Sequence, residues 1–305
     1  MNSSVKTGFE NIQLLPLTSD IVFKQVFGQE ESKPILRVFL NDILGLDIQS
    51  EDQITLLNPE INPGFLDDKM CILDVRIELS DRSSIDIEIQ VLNQHNMEAR
   101  ALYYACQLCT DQLHTGEDYS RIAPVYGLNL LCFNLYKDER YYRSFVLKDD
   151  ETNETYRKTF EIDFFELRKA VKQLSGIDGP AGLEVSGLSA KEQWALFLDS
   201  GKKEVYEKLG EEKEVFEEAY ERLIKASSDQ TLMEMYRSRE KAIRDWNNSI
   251  HSAKEEGEKK GIEKGESRIG ELYKKLLQDG REDDISHMME DDGYRAELYK
   301  KYGML

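Results

Sequence analysis

Asp86, Glu88 and Gln90 stand two residues apart in the stretch "SSIDIEIQVLN", residues 83–93. In a strand, alternation sets these three on one face and Ile85, Ile87, Ile89 and Val91 on the other. A row of acid, acid and amide has two readings. One is the solvated side of an antiparallel sheet. The other is a ligand set, because closely spaced carboxylates repel until a cation neutralises them, and hard oxygen donors suit Mg²⁺ or Mn²⁺. Such an ion lowers the pKa of a bound water and polarises a phosphoryl oxygen, which are the needs of phosphodiester hydrolysis.

The elements around this row must position it. "MCILDVRIELSDRSSIDIEIQV" reads as a β-hairpin in which Asp74, Arg76 and Glu78 alternate with Val75, Ile77 and Leu79. Pairing Leu79 with Ile85 sets Asp74 opposite Gln90 and diagonal to Glu88. A slip of two residues keeps Asp74 on the face of Glu88, whereas a slip of one turns the charges inward. Every register that hides the apolar face therefore gathers Asp74, Asp86, Glu88 and Gln90 on one surface, with Arg76 among them.

Upstream, "PLTSDIVFKQVFGQ" predicts a short helix capped by Thr18 or Ser19 and ended by Gly28. Val22, Phe23, Val26 and Phe27 form its apolar stripe, and Asp20 and Lys24 share another face. "SKPILRVFLNDILG" predicts a second helix, with Pro34 in the first turn and Gly45 as the stop. A helix over 96–115 carries Arg100, Tyr103 and Tyr104. "APVYGLNLLCFNLY" has the continuous apolar run of a central strand, and residues 140–167 read as another hairpin. Helix, hairpin, helix and buried strand in that order imply an α/β core with mixed strand directions.

The Gly-rich "SGIDGPAGLEVSG" marks a boundary near 175–187, leaving a core over residues 1–175 and a charged helical region over 188–305. That region opens on a capping box, Ser189 and Glu192. Within it Ala253, Gly257, Gly261 and Gly265 recur every fourth residue. Two readings stay open for the segment 253–265. It is a small-residue stripe on which another helix packs, giving a homo-oligomer through the C-terminal helices. Or it is a flexible charged linker, since three helical glycines cost about 3 kcal/mol.

No apolar run approaches a membrane span, and "MNSSVKTGFENIQ" has no apolar signal core, so a cytoplasmic protein without a membrane partner is expected. Cys106 and Cys109 form a lone C-x-x-C inside a helical pattern and are read as buried small helix residues rather than as a metal or redox pair. The net charge is −19. Residues 1–200 hold 19 Lys and Arg against 33 Asp and Glu, and residues 201–305 hold 21 against 26. The amino-terminal field repels nucleic acid at long range, so DNA could approach only through a local basic patch, with Lys24, Lys69, Arg76 and Arg100 as its candidates.

The hairpin "LDVRIELSDRSSIDIEIQ" resembles the active-site hairpin of the PD-(D/E)xK nuclease superfamily, an acid on one strand and acid-x-Lys on the next. Gln90 stands at the Lys position, and this Glu-x-Gln form is similar to one bacterial branch, the recombination-promoting nuclease (transposase-like) family. The likeness extends to "TSDIVFKQVFG", "LNPEI", "LDDK", "EARALYYACQLCTDQL" and "GEDYSRIAPVYGLNLLCF", covering roughly residues 14–136, and loosely to the tail. It implies a restriction-endonuclease-like core, a mixed central sheet flanked by helices, followed by an all-α C-terminal region. It further implies a DNA endonuclease dependent on Mg²⁺ (or Mn²⁺) and linked to recombination and mobile elements.

Carried over residue by residue, the resemblance makes Asp74 and Glu88 metal ligands and Gln90 the group that orients the attacking water. Asp20 becomes an accessory acid. Lys24 and Arg100 are the residues able to supply the positive charge that an amide lacks. Asp86 matches no motif position and is expected to be solvated or supporting. The alternative is a nuclease fold kept as a catalytically silent interaction module that acts through its helical tail.

Overall fold

A computed structural model of the protein describes residues 12–61, 71–113, 115–156, 159–174 and 184–304. The "LDDK" segment with Lys69, and most of the Gly-rich break, lie outside these residues. In chain order the elements are α1 (Asp20–Phe27), α2 (Lys33–Leu44), β1 (Ile54–Leu57), β2 (Glu60–Ile61), β3 (Cys71–Ile72), β4 (Val75–Leu79), β5 (Ser84–Gln90), α3 (Met97–Asp111), β6 (Val125–Leu131), β7 (Tyr142–Val146), β8 (Phe160–Glu166) and α4 (Leu167–Leu174). Six helices follow: α5 (Ala190–Asp199), α6 (Lys203–Glu212), α7 (Glu214–Ser228), α8 (Gln230–Gln278), α9 (Glu282–Glu290) and α10 (Asp292–Lys301). The chain divides into two compact units, Met1–Tyr236 and Arg237–Leu305.

The first unit is built on a six-stranded sheet of order β1-β4-β5-β6-β8-β7. The β1/β4, β4/β5 and β7/β8 pairs are antiparallel, while β5/β6 and β6/β8 are parallel. The mixed sheet is therefore as expected, and β6, with its continuous apolar sequence, lies between two parallel neighbours. The hairpin register differs from the first expectation by two residues. Val75 pairs with Ile87 and Ile77 with Ile85, so Asp74 comes opposite Glu88 rather than Gln90. Parity is conserved, and with it the common face of the acids.

Ile85, Ile87 and Ile89 face one layer, where they pack with Val22, Phe23, Val26 and Phe27 of α1 and Ile35, Leu36, Phe39 and Leu40 of α2. Gly45 ends α2 in a left-handed conformation, φ 66°, that a side chain would strain. The opposite layer is α3. Its buried stripe Met97, Ala101, Ala105 and Leu108 packs with Val125, Leu131, Ile162 and Phe164. Ala105 sits over Gly127, where an added Cβ would stand 3.8 Å from the Ala105 Cβ. Small residues on both sides let α3 lie close against the sheet.

This closeness overturns the solvated reading of the acidic row. Asp86 is 3% and Glu88 2% exposed, because α3 covers the face that carries them. Cys106 on α3 is exposed rather than buried.

Aromatic packing extends the first unit past the composition break. Trp194 on α5 stands 5.0 Å from Phe39, 6.2 Å from Phe27 and 4.6 Å from Phe216 on α7. The sheet, α1, α2 and α5–α7 thus share one core, and each such buried ring contributes a few kcal/mol. The capping box forms as predicted, with Ser189 and Glu192 each bonding the other's backbone N–H.

In the second unit Leu272 and Leu276 of α8 pack with Met288 of α9 and Leu298 of α10. The segment 253–265 is helical within α8, not a linker. Gly257, Gly261 and Gly265 have open space where a Cβ would be.

Candidate active site

Asp74 immediately precedes β4 and lies beside the C-terminal end of β5. Its backbone N–H donates to Glu88 Oε1 at 3.0 Å, and its Oδ2 accepts from the Ile89 N–H at 2.9 Å. The ladder bonding that would continue the hairpin is thus replaced by two side-chain bonds, which fix both carboxylates at the strand end. Lys24 reaches over from α1 and places Nζ 2.9 Å from Asp74 Oδ1. Arg100, from α3, donates through Nη2 to Glu88 Oε2 at 3.0 Å, with its guanidinium 5.4 Å from the Tyr104 ring centre. Gln90 donates through Nε2 to the same Glu88 oxygen at 3.2 Å. Asp74, Glu88, Gln90, Lys24 and Arg100 are therefore brought together.

Asp20 opens α1 one turn before Lys24, and its Oδ1 accepts from the Ile21 N–H at 3.0 Å. Arg76 does not join a basic patch. It lies opposite Asp86 in the register and is ion-paired with Asp111 on α3. Of the expected patch, Lys24 and Arg100 are in place, both bonded to the acids they face.

Burial dominates the electrostatics. It pushes the Glu88 carboxyl up to about 7, with the nearby Asp74 charge adding to the rise and Arg100 opposing it. It also raises Asp86 well above the usual carboxylate range, with Glu88 and Asp74 contributing in the same direction. Asp86 Oδ1 is buried without a hydrogen-bond partner. Three carboxyl groups thus share a low-dielectric pocket and cannot all ionise cheaply unless further positive charge arrives.

The enclosure of Asp86 was not legible in the strand alone, which does not reveal what lies over it. The signal lay elsewhere, in Ala105 on a helix meeting Gly127 on a strand.

A family described as PD-(D/E)XK nuclease family transposase matches residues 17–253. The chain belongs to this family. Its sheet and flanking helices agree with the PD-(D/E)XK nuclease fold, and the family links it to nucleases of mobile elements that act on DNA and generally use divalent metals. No curated protein and no solved structure matches the chain. Among the described residues, no helix is long and apolar enough to cross a membrane.

Proposed function

We propose that this protein is a metal-dependent DNA endonuclease, with Asp74, Glu88 and Gln90 at its catalytic centre and Lys24 and Arg100 in support. One observation carries the reading. Asp74 and Glu88 are cross-braced at the end of the hairpin, each with a cation 2.9–3.0 Å away.

The donors fit a divalent ion. Among the described residues no three acidic, His or Cys side chains converge as a cage. Mg²⁺, however, is characteristically held by one or two carboxylates, with water and substrate phosphate completing its shell. Asp74 and Glu88 supply two hard carboxylates, and the enclosed acids of this pocket favour a divalent charge. When bound, the ion supplies a lowered water pKa and polarisation of the phosphoryl oxygen.

The chain's own groups do the rest. Gln90, held by Glu88, offers an amide that orients the attacking water. Lys24 stabilises the charge that develops on the phosphate oxygens. Arg100 opposes burial and favours the ionised form of Glu88. The attacking oxygen bonds to phosphorus, one ester P–O bond breaks, and the leaving oxygen takes up a proton. Asp20, at the start of the same helix as Lys24, serves as an accessory acid.

Nicking of supercoiled plasmid in EDTA, Mg²⁺ or Mn²⁺, by wild type and Asp74→Ala, tests this. Metal-dependent nicking that vanishes in the variant supports it. A folded, metal-supplied wild type that leaves the plasmid intact turns the reading to the silent interaction module.

A further inference from the structure

The C-terminal ends of β5, β6 and β8 form one edge of the sheet, where Gln90, Leu131 and Glu166 are register partners in a single row. Strands lie about 4.8 Å apart, so Gln90 and Glu166 stand about 10 Å apart along that edge. The segment after β6 and the start of α4 therefore belong to the same edge as the candidate active site.

A cleft of about 450 Å³ opens there, lined by Lys137, Arg168 and Lys172 together with Asn134 and Gln173. Its floor is a built structure. Lys169 is 6% exposed and donates to the carbonyls of Tyr136, Asp138 and Arg140 while pairing with Glu166 Oε2 at 2.9 Å. Glu166 Oε1 in turn accepts from the Leu135 N–H at 2.7 Å. One buried ion pair thus fixes the loop that carries Lys137.

The other charges of the cleft leave a positive balance. Asp138 is paired with Arg143 and, at 3.5 Å, with Arg140. Lys137, Arg168 and Lys172 are exposed, and no described carboxylate lies in an ion pair with any of them. The acids beside these three cations are Glu139, in the cleft lining, and Asp199, whose charge Arg168 favours, so a net positive charge remains inside a half of the chain whose overall charge repels polyanions. Cations gathered on one surface with few acids beside them suit phosphate oxygens. Continuity with the centre is direct: the Cys132 backbone N–H donates to the Gln90 carbonyl at 2.9 Å, and Arg168 lies near enough to influence the Cys132 thiol.

Resting on the nuclease reading, we infer that Lys137, Arg168 and Lys172 form a subsite for the sugar–phosphate backbone of DNA, on the same edge of the sheet as the cleavage centre. Such contacts position a strand and carry no base specificity.

The test uses the full chain and a fluorescent 20-base-pair duplex in EDTA, with Kd followed by anisotropy between 50 and 200 mM KCl. Wild type is compared with Lys137→Gln/Arg168→Gln/Lys172→Gln. Each lost phosphate contact removes about 0.9 from the salt slope, so the triple variant should lower it by about 2 to 3 and weaken binding at least tenfold at 100 mM. A charge-conserving Lys137→Arg/Arg168→Lys/Lys172→Arg variant should keep both values, which guards against misfolding of the neutral one. Neutralising Lys254, Lys259 and Lys264 in α8 should change the slope less. Wild-type affinity and slope in the neutral triple, with plasmid nicking still abolished by Asp74→Ala, would overturn the subsite and leave the active-site reading intact. Failure of the wild type both to bind and to nick would remove both.

Discussion

Asp74 and Glu88 hold each other in place: the Asp74 backbone N–H donates to Glu88 Oε1 at 3.0 Å, and the Asp74 carboxylate accepts from the N–H of Ile89, the next residue along β5. Each acid spends one oxygen on the other's strand and turns its second toward a cation, Lys24 or Arg100. The pair behaves as a rigid unit, since moving either side chain breaks a backbone bond on the partner strand.

Asp74→Asn therefore separates charge from scaffolding. The amide oxygen still accepts from Ile89, so stability should change by about 1 kcal/mol or less. Nicking should fall at least a hundredfold, because the site loses a charged ligand. Thermal melts alongside a plasmid assay check this, and full activity in a folded Asp74→Asn would remove Asp74 from the centre.

Lys24 and Arg100 should part company when each is changed to Met. Lys24 is about a third exposed, at 36%, so its pair with Asp74 should be worth about 1 kcal/mol or less to the fold. Its loss should be felt in nicking, on the order of a hundredfold. Arg100 faces a Glu88 side chain that is 3% exposed, and its removal leaves that charge buried and uncompensated, costing about 3 kcal/mol. Without Arg100 the Glu88 pKa rises further above about 7, so the stability deficit should widen from pH 6 to pH 8. Equal melting losses for the two variants at both pH values would contradict this.

Much of this arrangement was legible from local pattern. Period-two alternation placed Asp74, Glu88 and Gln90 on one face, and the cap and stop residues placed α1 with Lys24 on it. The exact register was not, because a two-residue slip preserves the same alternation and only the turn and the β1 partner decide between them. Nor was the limit of the packed unit. The Gly-rich break suggested an edge near 175–187, whereas Trp194 finds its partners in Phe27 and Phe39, more than 150 positions earlier. Contacts so remote in sequence leave no trace in composition. The Lys137–Arg168–Lys172 cleft escaped for the same reason, since β6 and β8 bring its two halves together.

On the opposite face from α3, Asp163 is fully buried and its carboxyl is pushed up to about 7 by burial, with the Glu161 charge adding to the rise. The Tyr142 hydroxyl stands 2.8 Å from Asp163 Oδ1 and 3.1 Å from the Ile43 carbonyl oxygen. One hydroxyl proton serves both contacts only if Asp163 is protonated and donates to Tyr142, which then donates to Ile43. Lys191 Nζ also donates to that carbonyl, at 2.6 Å. With a folded pKa above the ordinary one, this group stabilises the fold fully below about pH 4, and that contribution is lost as pH rises through 7, amounting to about 2–4 kcal/mol. Asp163→Asn should flatten the fall in Tm between pH 5 and pH 8. Parallel profiles for the two proteins would show that Asp163 is already charged.

The glycines of α8 give the last prediction. Gly257, Gly261 and Gly265 meet nothing within 4 Å where a Cβ would be added, so alanine is sterically free at all three. Each exchange should gain about 1 kcal/mol of helix propensity. Gly257→Ala/Gly261→Ala/Gly265→Ala should therefore raise helicity at 222 nm and delay its loss on heating, if each chain's α8 stands alone. Were the stripe instead a seat for a helix of a second copy, three methyl groups would push that helix away. The variant would then melt earlier, and its sedimentation would shift toward the monomer. Melting and sedimentation measured together decide which face of α8 the protein uses.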